Sequence, residues 1–316
     1  MIKPRILFMG TPAFALPALS LLQSGGYPVI AVVTQPDRPR GRGQKTIAPP
    51  VKEFAEKFHI PVYQPDKVKD KTFLDELRLL NPEMIVVAAF GQILSKEIID
   101  FPRLGCLNIH PSLLPRYRGA APLNWAIIHG EKTTGVTIMK MDEGMDSGDI
   151  ILQKETPMDD NETFGQLHDR LAAEGAKLLI LAIDAVAAGT AKRHSQDATL
   201  ATFAPRLRKE DGIINWNADI FSIVNLIRGL SPSPAAYTYL GEKTLKIFSA
   251  AAEPGRVSIT PGKIAAVSIS GISVAAVNGF VTISELQLEN KKRMPASDFL
   301  RGYHLPPGTT LGRTTS

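Results

Sequence analysis

Apolar residues along the first two-thirds of the chain fall into short, nearly unbroken runs: "RILFMG", "PVIAVVT", "MIVVAA", "CLNIH" and "GVTIMKM", with "DIILQKE" as one further strand. Between them lie "AFALPALSLLQSG", "PPVKEFAEKF" and "KTFLDELRLL", whose apolar positions recur at helical spacing. Strands that are apolar on both faces, alternating with amphipathic helices, predict a parallel sheet covered on both sides. The clearest helix is expected over residues 163–188, where Phe164, Leu167, Leu171, Leu178, Leu181 and Ala185 form one stripe and Gly189 follows as a stop. The stretch "TAKRHSQDATLATFAPRLRKEDG" then has no strong period and reads as a linker. Beyond it the pattern changes to short alternating strands broken by Gly and Pro: "AAYTYL", "KTLKIFSAAAE", "GKIAAVSISG", "ISVAAVNG" and "FVTISELQLEN". That is the pattern of a small barrel. The chain therefore divides into an α/β domain over 1–189, a linker over 190–207 and a compact β domain over 208–316.

Composition narrows the class. No segment is apolar for the ~18 residues that a membrane span needs, and the opening "MIKPRILFMG" runs into Gly-Thr-Pro with no cleavage-like site, so it reads as a first strand. Cys106 is the single cysteine, which excludes an intrachain disulfide and a multi-cysteine metal site and fits a cytoplasmic protein; it reads as a small core residue. The net charge of +5 is unevenly placed. Residues 1–205 hold 23 basic and 23 acidic side chains, whereas residues 206–316 hold 13 and 8 and so carry all of the surplus. A basic C-terminal third on a neutral body suits a polyanionic partner such as nucleic acid, and equally a mildly basic soluble domain.

The candidate chemistry sits in "NIHPSLLPRYRG". On a strand, residues i and i+2 face one way, so Asn108 and His110 share a side at the end of "CLNIH". The carboxyl edge of a parallel sheet is where open α/β folds place ligands. An amide and an imidazole converging there can hold a developing oxyanion and move a proton. The loop "MDEGMDSGDI" offers four carboxylates, Asp142, Glu143, Asp146 and Asp149, any of which could orient the imidazole; spacing does not choose among them. A second His at metal-ligand spacing is lacking, so no metal is expected. "GTPAF" resembles a phosphate-binding turn but lacks G-x-G-x-x-G, which argues against a nicotinamide cofactor. "QPDRPRGRGQK" presents Arg38, Arg40, Arg42 and Lys45 among glycines and prolines, a run too flexible for regular structure and suited to phosphate contact.

"NIHPSLLPRYRGAAP" resembles the signature of the folate-dependent formyltransferases. With "GTPAFALPAL", "TQPDRPRGRGQK", "AAFGQIL" and "MDEGMDSGDI", and with "DGIINWN", "IRGLSPSPAAYT" and "FLRGYHLPPGTTLG" beyond the linker, the chain is similar over essentially its full length to the tRNA-acting branch of that family. The resemblance implies a Rossmann-like catalytic domain and an OB-like, tRNA-binding C-terminal barrel. It implies transfer of the formyl group of 10-formyltetrahydrofolate to the amino group of initiator methionyl-tRNA. The family's catalytic Asn, His and Asp match Asn108, His110 and Asp146; the resemblance, and not spacing, selects Asp146. Asn108 and His110 would hold the oxyanion, and Asp146 would position His110 and help take the amine's proton. The resemblance places the folate against Phe90, Gly91, Gln92, Ser112, Leu113, Leu114 and Pro115. It places tRNA against the loop around Arg42, with Arg206, Arg208 and Lys209 at the entrance to the barrel. A monomer in the cytoplasm is expected. Arg116 and Arg118 are left either to touch substrate or to pair with acidic loop residues, with pairing favoured for Arg116.

Three other readings share parts of this pattern. A formyltransferase acting on a nucleotide-sugar or purine-pathway amine would keep Asn108, His110 and Asp146 but have less use for a basic β domain. A non-catalytic RNA-binding protein would have no need of that trio. Hydrolysis of the formyl donor to formate requires only that water replace the amine.

Overall fold

The computed structural model describes residues 3–40 and 45–313. Two compact units emerge. The first is built from the chain up to Pro122, Thr133–Pro157 and His168–Ala204; the second from Leu123–Lys132, Met158–Leu167 and the chain from Pro205 onward.

In chain order the elements are β1 (Ile6–Gly10), α1 (Leu16–Ser24), β2 (Val29–Val33), β3 (Arg38–Arg40), β4 (Lys45–Ile47), α2 (Pro50–Lys57), β5 (Val62–Tyr63), α3 (Lys71–Leu80), β6 (Met84–Ala88), α4 (Lys96–Asp100), β7 (Cys106–His110), α5 (Pro122–Ile128), β8 (Thr133–Lys140), β9 (Ile150–Pro157) and α6 (Phe164–Ala187). A seven-stranded sheet has the order β5-β2-β1-β6-β7-β8-β9. The first five strands of that order are parallel, as the apolar runs predict. The last two pairings, β7 with β8 and β8 with β9, are antiparallel, so β8 alone runs against the other six strands. Residues 141–149, which join β8 to β9, are too few for the crossover of roughly a dozen residues that parallel pairing requires.

Alternation sorts the strands' side chains onto two layers. Leu7, Met9, Ala31, Val33, Ile85, Val87 and Cys106 pack with Phe73 and Leu77 of α3 and Ile98 and Ile99 of α4. Full burial of each Val, Leu, Ile, Met or Phe side chain among them is worth about 1.5–3 kcal/mol. The Cys106 thiol is among them: it points at the carbonyls of Ile98 and Ile99, and burial pushes its pKa up to about 12, so it is a neutral core group. On the other layer Gly175 of α6 lies so close to Ile109 and Val136 that a Cβ there would stand 2.8 Å from Ile109 Cγ2.

The expected helix over 163–188 is α6, but its stripe is rotated. Leu167 and Leu171 are buried together with Ala172, Ala176, Leu179, Ala182 and Ile183, whereas Leu181 is 61% exposed. At 3.6 residues per turn Leu181 lies about 80° from Leu171, off the buried face. The Arg/Gly run also differs from expectation: β3 and β4 form an antiparallel ribbon pairing Arg38 with Ile47, Pro39 with Thr46 and Arg40 with Lys45. A proline is tolerated because a two-stranded ribbon leaves outward backbone positions unpaired. Asp37 anchors its foot; hydrogen bonds from Gln64 and then Lys52 hold that carboxylate below its usual pKa range. Arg42 lies outside the described residues.

The second unit contains α7 (Ile220–Leu230), β10 (Ala236–Leu240), β11 (Lys243–Pro254), β12 (Ile264–Ser268), β13 (Gly271–Ala275), β14 (Gly279–Leu288), β15 (Met294–Pro295) and α8 (Ala296–Gly302). The strands pair antiparallel in the order β10-β11-β14-β13-β12, with β15 added on β14. Both edges are sealed by the chain's last described residues: Leu311 N–H donates to Gly262 O and Gly312 N–H to Tyr239 O, each at 2.8 Å. Joining β10 to the start of β12 in this way closes the sheet into the expected small barrel. Helix α7 has no counterpart among the elements that periodicity predicts. Asp219 caps it by accepting from Phe221 N and Ser222 N, and Ile220, Ile223, Ile227 and Leu230 plug the barrel.

Candidate active site

Strand β7 delivers Asn108 and His110 to one side of the sheet, on the face that Cys106 begins. Asn108 is 9% exposed and His110 4% exposed. The Asn108 carboxamide makes no hydrogen bond to any of the described residues. A nearly buried amide without a protein partner is unusual, and its N–H groups are free to donate to a bound oxygen.

The imidazole is held from both ends. His110 Nε2 lies 3.0 Å from the Tyr117 carbonyl oxygen, so that nitrogen carries a proton. Nδ1 faces Asp146 Oδ1 at 3.6 Å, too long for a direct hydrogen bond. In the neutral ring Nδ1 is a lone pair facing a carboxylate, a pair of acceptors poised to receive one proton.

The structure discriminates among the four acidic candidates. Asp142 is spent on its own turn, accepting from Gly144 N and Ser147 Oγ. Glu143 pairs with Lys96 at 3.4 Å. Asp149 contributes its carbonyl to Lys140 N at the close of the loop. Asp146 is the one aimed at His110, with its other oxygen accepting from Gly119 N at 2.8 Å. Asp146 has a left-handed backbone, φ 50°, which turns its side chain back toward β7.

"SLLP" is a braced segment. Thr137 Oγ1 donates to Ser112 O and accepts from Leu114 N, and Gln153 Nε2 donates to Leu114 O at 2.8 Å. Ser112 Oγ donates to Arg116 O. The side chains of Ser112 and Leu114 are buried, and Leu113 and Pro115 are half-buried. At "AAFGQIL", Phe90 is buried and its carbonyl accepts from Thr11. The Gln92 side chain is committed to Val68 N and Pro65 O. The peptide groups of Gly91 and Gln92 make no hydrogen bond to the described residues, and positive φ at Ala89 and Gly91 bends the backbone there. That loop offers donors and acceptors to a planar heterocycle. Among the described residues no group of three or more His, Cys, Asp or Glu side chains is placed to hold a metal ion.

Thr137, Gln153, the Tyr117 carbonyl and Gln196 belong to the site's framework and carry no motif that sequence inspection detects. Arg118 neither pairs with an acid nor reaches outward: it is 8% exposed and donates through Nε and Nη2 to Gln196 Oε1. Arg38 donates to Gln35, while Arg206, Arg208 and Lys209 are exposed in the second unit.

Comparison with known proteins gives the family. The formyl transferase family matches residues 4–183, and its C-terminal domain family matches residues 206–304. A protein named methionyl-tRNA formyltransferase from Syntrophus aciditrophicus is 57% identical over 312 residues, covering 99% of this chain and 100% of its own. Its namesake from Geobacter sulfurreducens is 50% identical over 314 residues, covering 99% and 98%. Among solved structures, a sugar 3N-formyl transferase, WlaRD, crystallised with dTDP and 5-N-formyl-THF, has a TM-score of 0.66 at 21% identity, covering 92% of this chain and 100% of that one. HypX from Aquifex aeolicus in complex with tetrahydrofolic acid has a TM-score of 0.67 at 18% identity, covering 95% of this chain and 47% of that one; at such identities the likeness is one of fold. With both domains matched and half or more of the residues shared end to end with these relatives, the chain belongs to the methionyl-tRNA formyltransferase family.

Proposed function

We propose that the chain transfers the formyl group of 10-formyltetrahydrofolate to the amino group of initiator methionyl-tRNA. The observation that carries the reading is the unpartnered Asn108 carboxamide beside the His110–Asp146 pair, in a chain whose near-identical-length relatives bear that name. The amine nitrogen attacks the formyl carbon, and the carbonyl oxygen becomes an oxyanion. Asn108 donates to that oxygen. The attacking nitrogen gives up a proton to His110 Nδ1, with the Asp146 carboxylate stabilising the resulting imidazolium, whose charge adds to oxyanion stabilisation. Collapse breaks the bond from formyl carbon to folate nitrogen; that nitrogen regains a proton, leaving N-formylmethionyl-tRNA and tetrahydrofolate. His110 Nε2 is occupied by Tyr117 O, which makes Asn108 the oxyanion donor and His110 chiefly the proton acceptor.

The folate is assigned to Phe90–Gln92 on one side and to Ser112–Pro115 on the other. Thr137 and Gln153 hold Ser112 O and both the N–H and the carbonyl of Leu114, so the second segment serves as a rigid wall. The tRNA is assigned to Arg38, Arg40, Arg42 and Lys45 and to Arg206, Arg208 and Lys209. The functional partition is a catalytic domain over 1–189, a linker over 190–207 and a tRNA-binding domain over 208–316. The protein works as a cytoplasmic monomer; no described helix is long and apolar enough to cross a membrane.

The direct test supplies 10-formyltetrahydrofolate with methionyl-tRNA or free methionine, and assays formate in parallel. Formylation of the charged tRNA, with none of free methionine, is expected. Formate release alone, or formylation of some other amine, would overturn the acceptor. Removing three charges together (Arg206→Ala, Arg208→Ala, Lys209→Ala) should raise KM for tRNA and leave kcat unchanged. The dependence of log KM on log salt should flatten by about one unit for each phosphate that is no longer neutralised. An unchanged KM and salt slope would remove these residues from the tRNA interface.

A further inference from the structure

We infer that Gln196, in the segment read from sequence as a linker, is a positioning residue that holds Asp146 in register with His110. This rests on the proposed role of Asp146. Every polar capacity of the Gln196 amide is used. Its oxygen accepts from Arg118 Nε at 3.1 Å and Nη2 at 2.7 Å. Its nitrogen donates to Asp146 O at 2.9 Å and to Gly148 O at 2.8 Å. A flipped amide would set its N–H groups against a guanidinium and its oxygen against two carbonyls, so the orientation is fixed.

The grip falls on the two peptide carbonyls that flank Ser147, in the turn whose left-handed residue is Asp146 itself. A non-glycine residue with φ 50° persists only where its surroundings impose it. Gln196 supplies that restraint from one side, and Gly119 N–H, bonded to the Asp146 carboxylate, supplies it from the other. The donors of both restraints are anchored to the same stretch of chain. His194 exchanges backbone hydrogen bonds with Ile150 at the start of β9, at 2.8 and 3.0 Å, and thereby places Gln196. Arg118, beside Gly119, pairs through its backbone with Thr202 and Ala204. Residues 194–204 therefore lace the Asp146 loop to the His110–Gly119 loop, although they lie beyond the matched N-terminal family domain, which ends at residue 183.

A purely structural alternative is that Gln196 exists to satisfy the Arg118 guanidinium. Gln196→Glu separates the two. A carboxylate serves Arg118 at least as well as the amide does, but it opposes the Asp146 and Gly148 carbonyls with oxygen. Steady-state kinetics are measured for Gln196→Glu and Gln196→Ala, in the native chain and in an Asp146→Asn background, with melting temperature followed in each. A positioning role predicts kcat lowered about 10- to 100-fold in both single variants, from displacement of about 1 Å or less, with both KM values within about twofold of the parent. In the Asp146→Asn background the Gln196 changes should cost nothing further, because the group they position is already absent. If Gln196→Glu keeps full kcat while Asp146→Asn abolishes transfer, the inference fails and the assigned site stands. An undiminished extra loss in the Asp146→Asn background also overturns it. If Asp146→Asn itself retains full transfer, the catalytic assignment fails and takes the inference with it.

Discussion

His110→Gln should lower kcat for formyl transfer about 100- to 1000-fold while leaving the fold and both KM values close to those of the parent. The size is that seen when one group stabilising the charge of an acyl-transfer transition state is removed. The choice of glutamine follows from the ring's two contacts. Nε2 donates to Tyr117 O at 3.0 Å, and a glutamine amide nitrogen reaches a similar place, so the loop carrying Tyr117 stays anchored. Nδ1, facing Asp146 at 3.6 Å, has no counterpart in glutamine, so the proton acceptor disappears. His110→Ala should lose as much kcat and also some stability, because it leaves a cavity and an unmet carbonyl at a nearly buried position. Asn108→Ala tests the other half: it removes the oxyanion donor but no hydrogen bond within the described protein, so its loss should be confined to kcat. A His110→Gln variant within about tenfold of parental kcat would mean that Nδ1 does not take the proton. The amine's proton would then pass to the Asp146 carboxylate, directly or through water, and His110 would serve to stabilise the oxyanion.

What the sequence made legible follows the physics of each signal. Continuous apolar strands and an i, i+2 pair at a strand's end are local patterns, and they locate the sheet and the convergence of Asn108 with His110 without any tertiary knowledge. Strand direction is different. Whether β8 and β9 run parallel or antiparallel depends on the length of the connection, here the nine residues 141–149, and the hydrophobic pattern is silent on it. Leu181 shows the limit of a stripe drawn over many turns, since small residues such as Ala176 and Ala182 share the buried face and blur its edge. Helix α7 hides because Phe221, Val224 and Leu226 are apolar outside its buried row; Asp219 before "IFSIVNLI" is the signal that identifies its start. Within the site, the four acidic residues look alike in sequence, and backbone conformation distinguishes them. Asp142 folds back on its own turn and Asp146 is wound left-handed toward β7. Gln196, Thr137 and Gln153 are neutral polar residues of ordinary kind. Their importance lies wholly in long-range hydrogen bonds, which no short window of sequence contains.

The loop that aims Asp146 is also the place where the smallest side-chain change should have the largest structural effect. Gly148 is required for space and not for conformational freedom, since its φ is not positive. A Cβ there would stand 1.9 Å from Lys140 O and 2.9 Å from Lys140 C, backbone atoms at the end of β8 that no rotamer change can move aside. Gly148→Ala must therefore push the loop off the strand. Three ties are strained together: Lys140 N to Asp149 O, Gln196 to Gly148 O, and, two residues away, the alignment of Asp146 with His110. Overpacking of this kind costs about 1–3 kcal/mol, and misplacing a catalytic group by about 1 Å costs about 100-fold in rate. Gly148→Ala is accordingly expected to lower the melting temperature by several degrees and kcat about 100-fold. Gly255→Ala, where a Cβ would make only an ordinary contact at 3.9 Å with Phe280, should change neither and serves as the control. Parental kcat in a Gly148→Ala protein that melts several degrees lower would show that the loop yields without moving Asp146. The restraint on the carboxylate would then reside in Gly119 and its own hydrogen bond, and not in the turn.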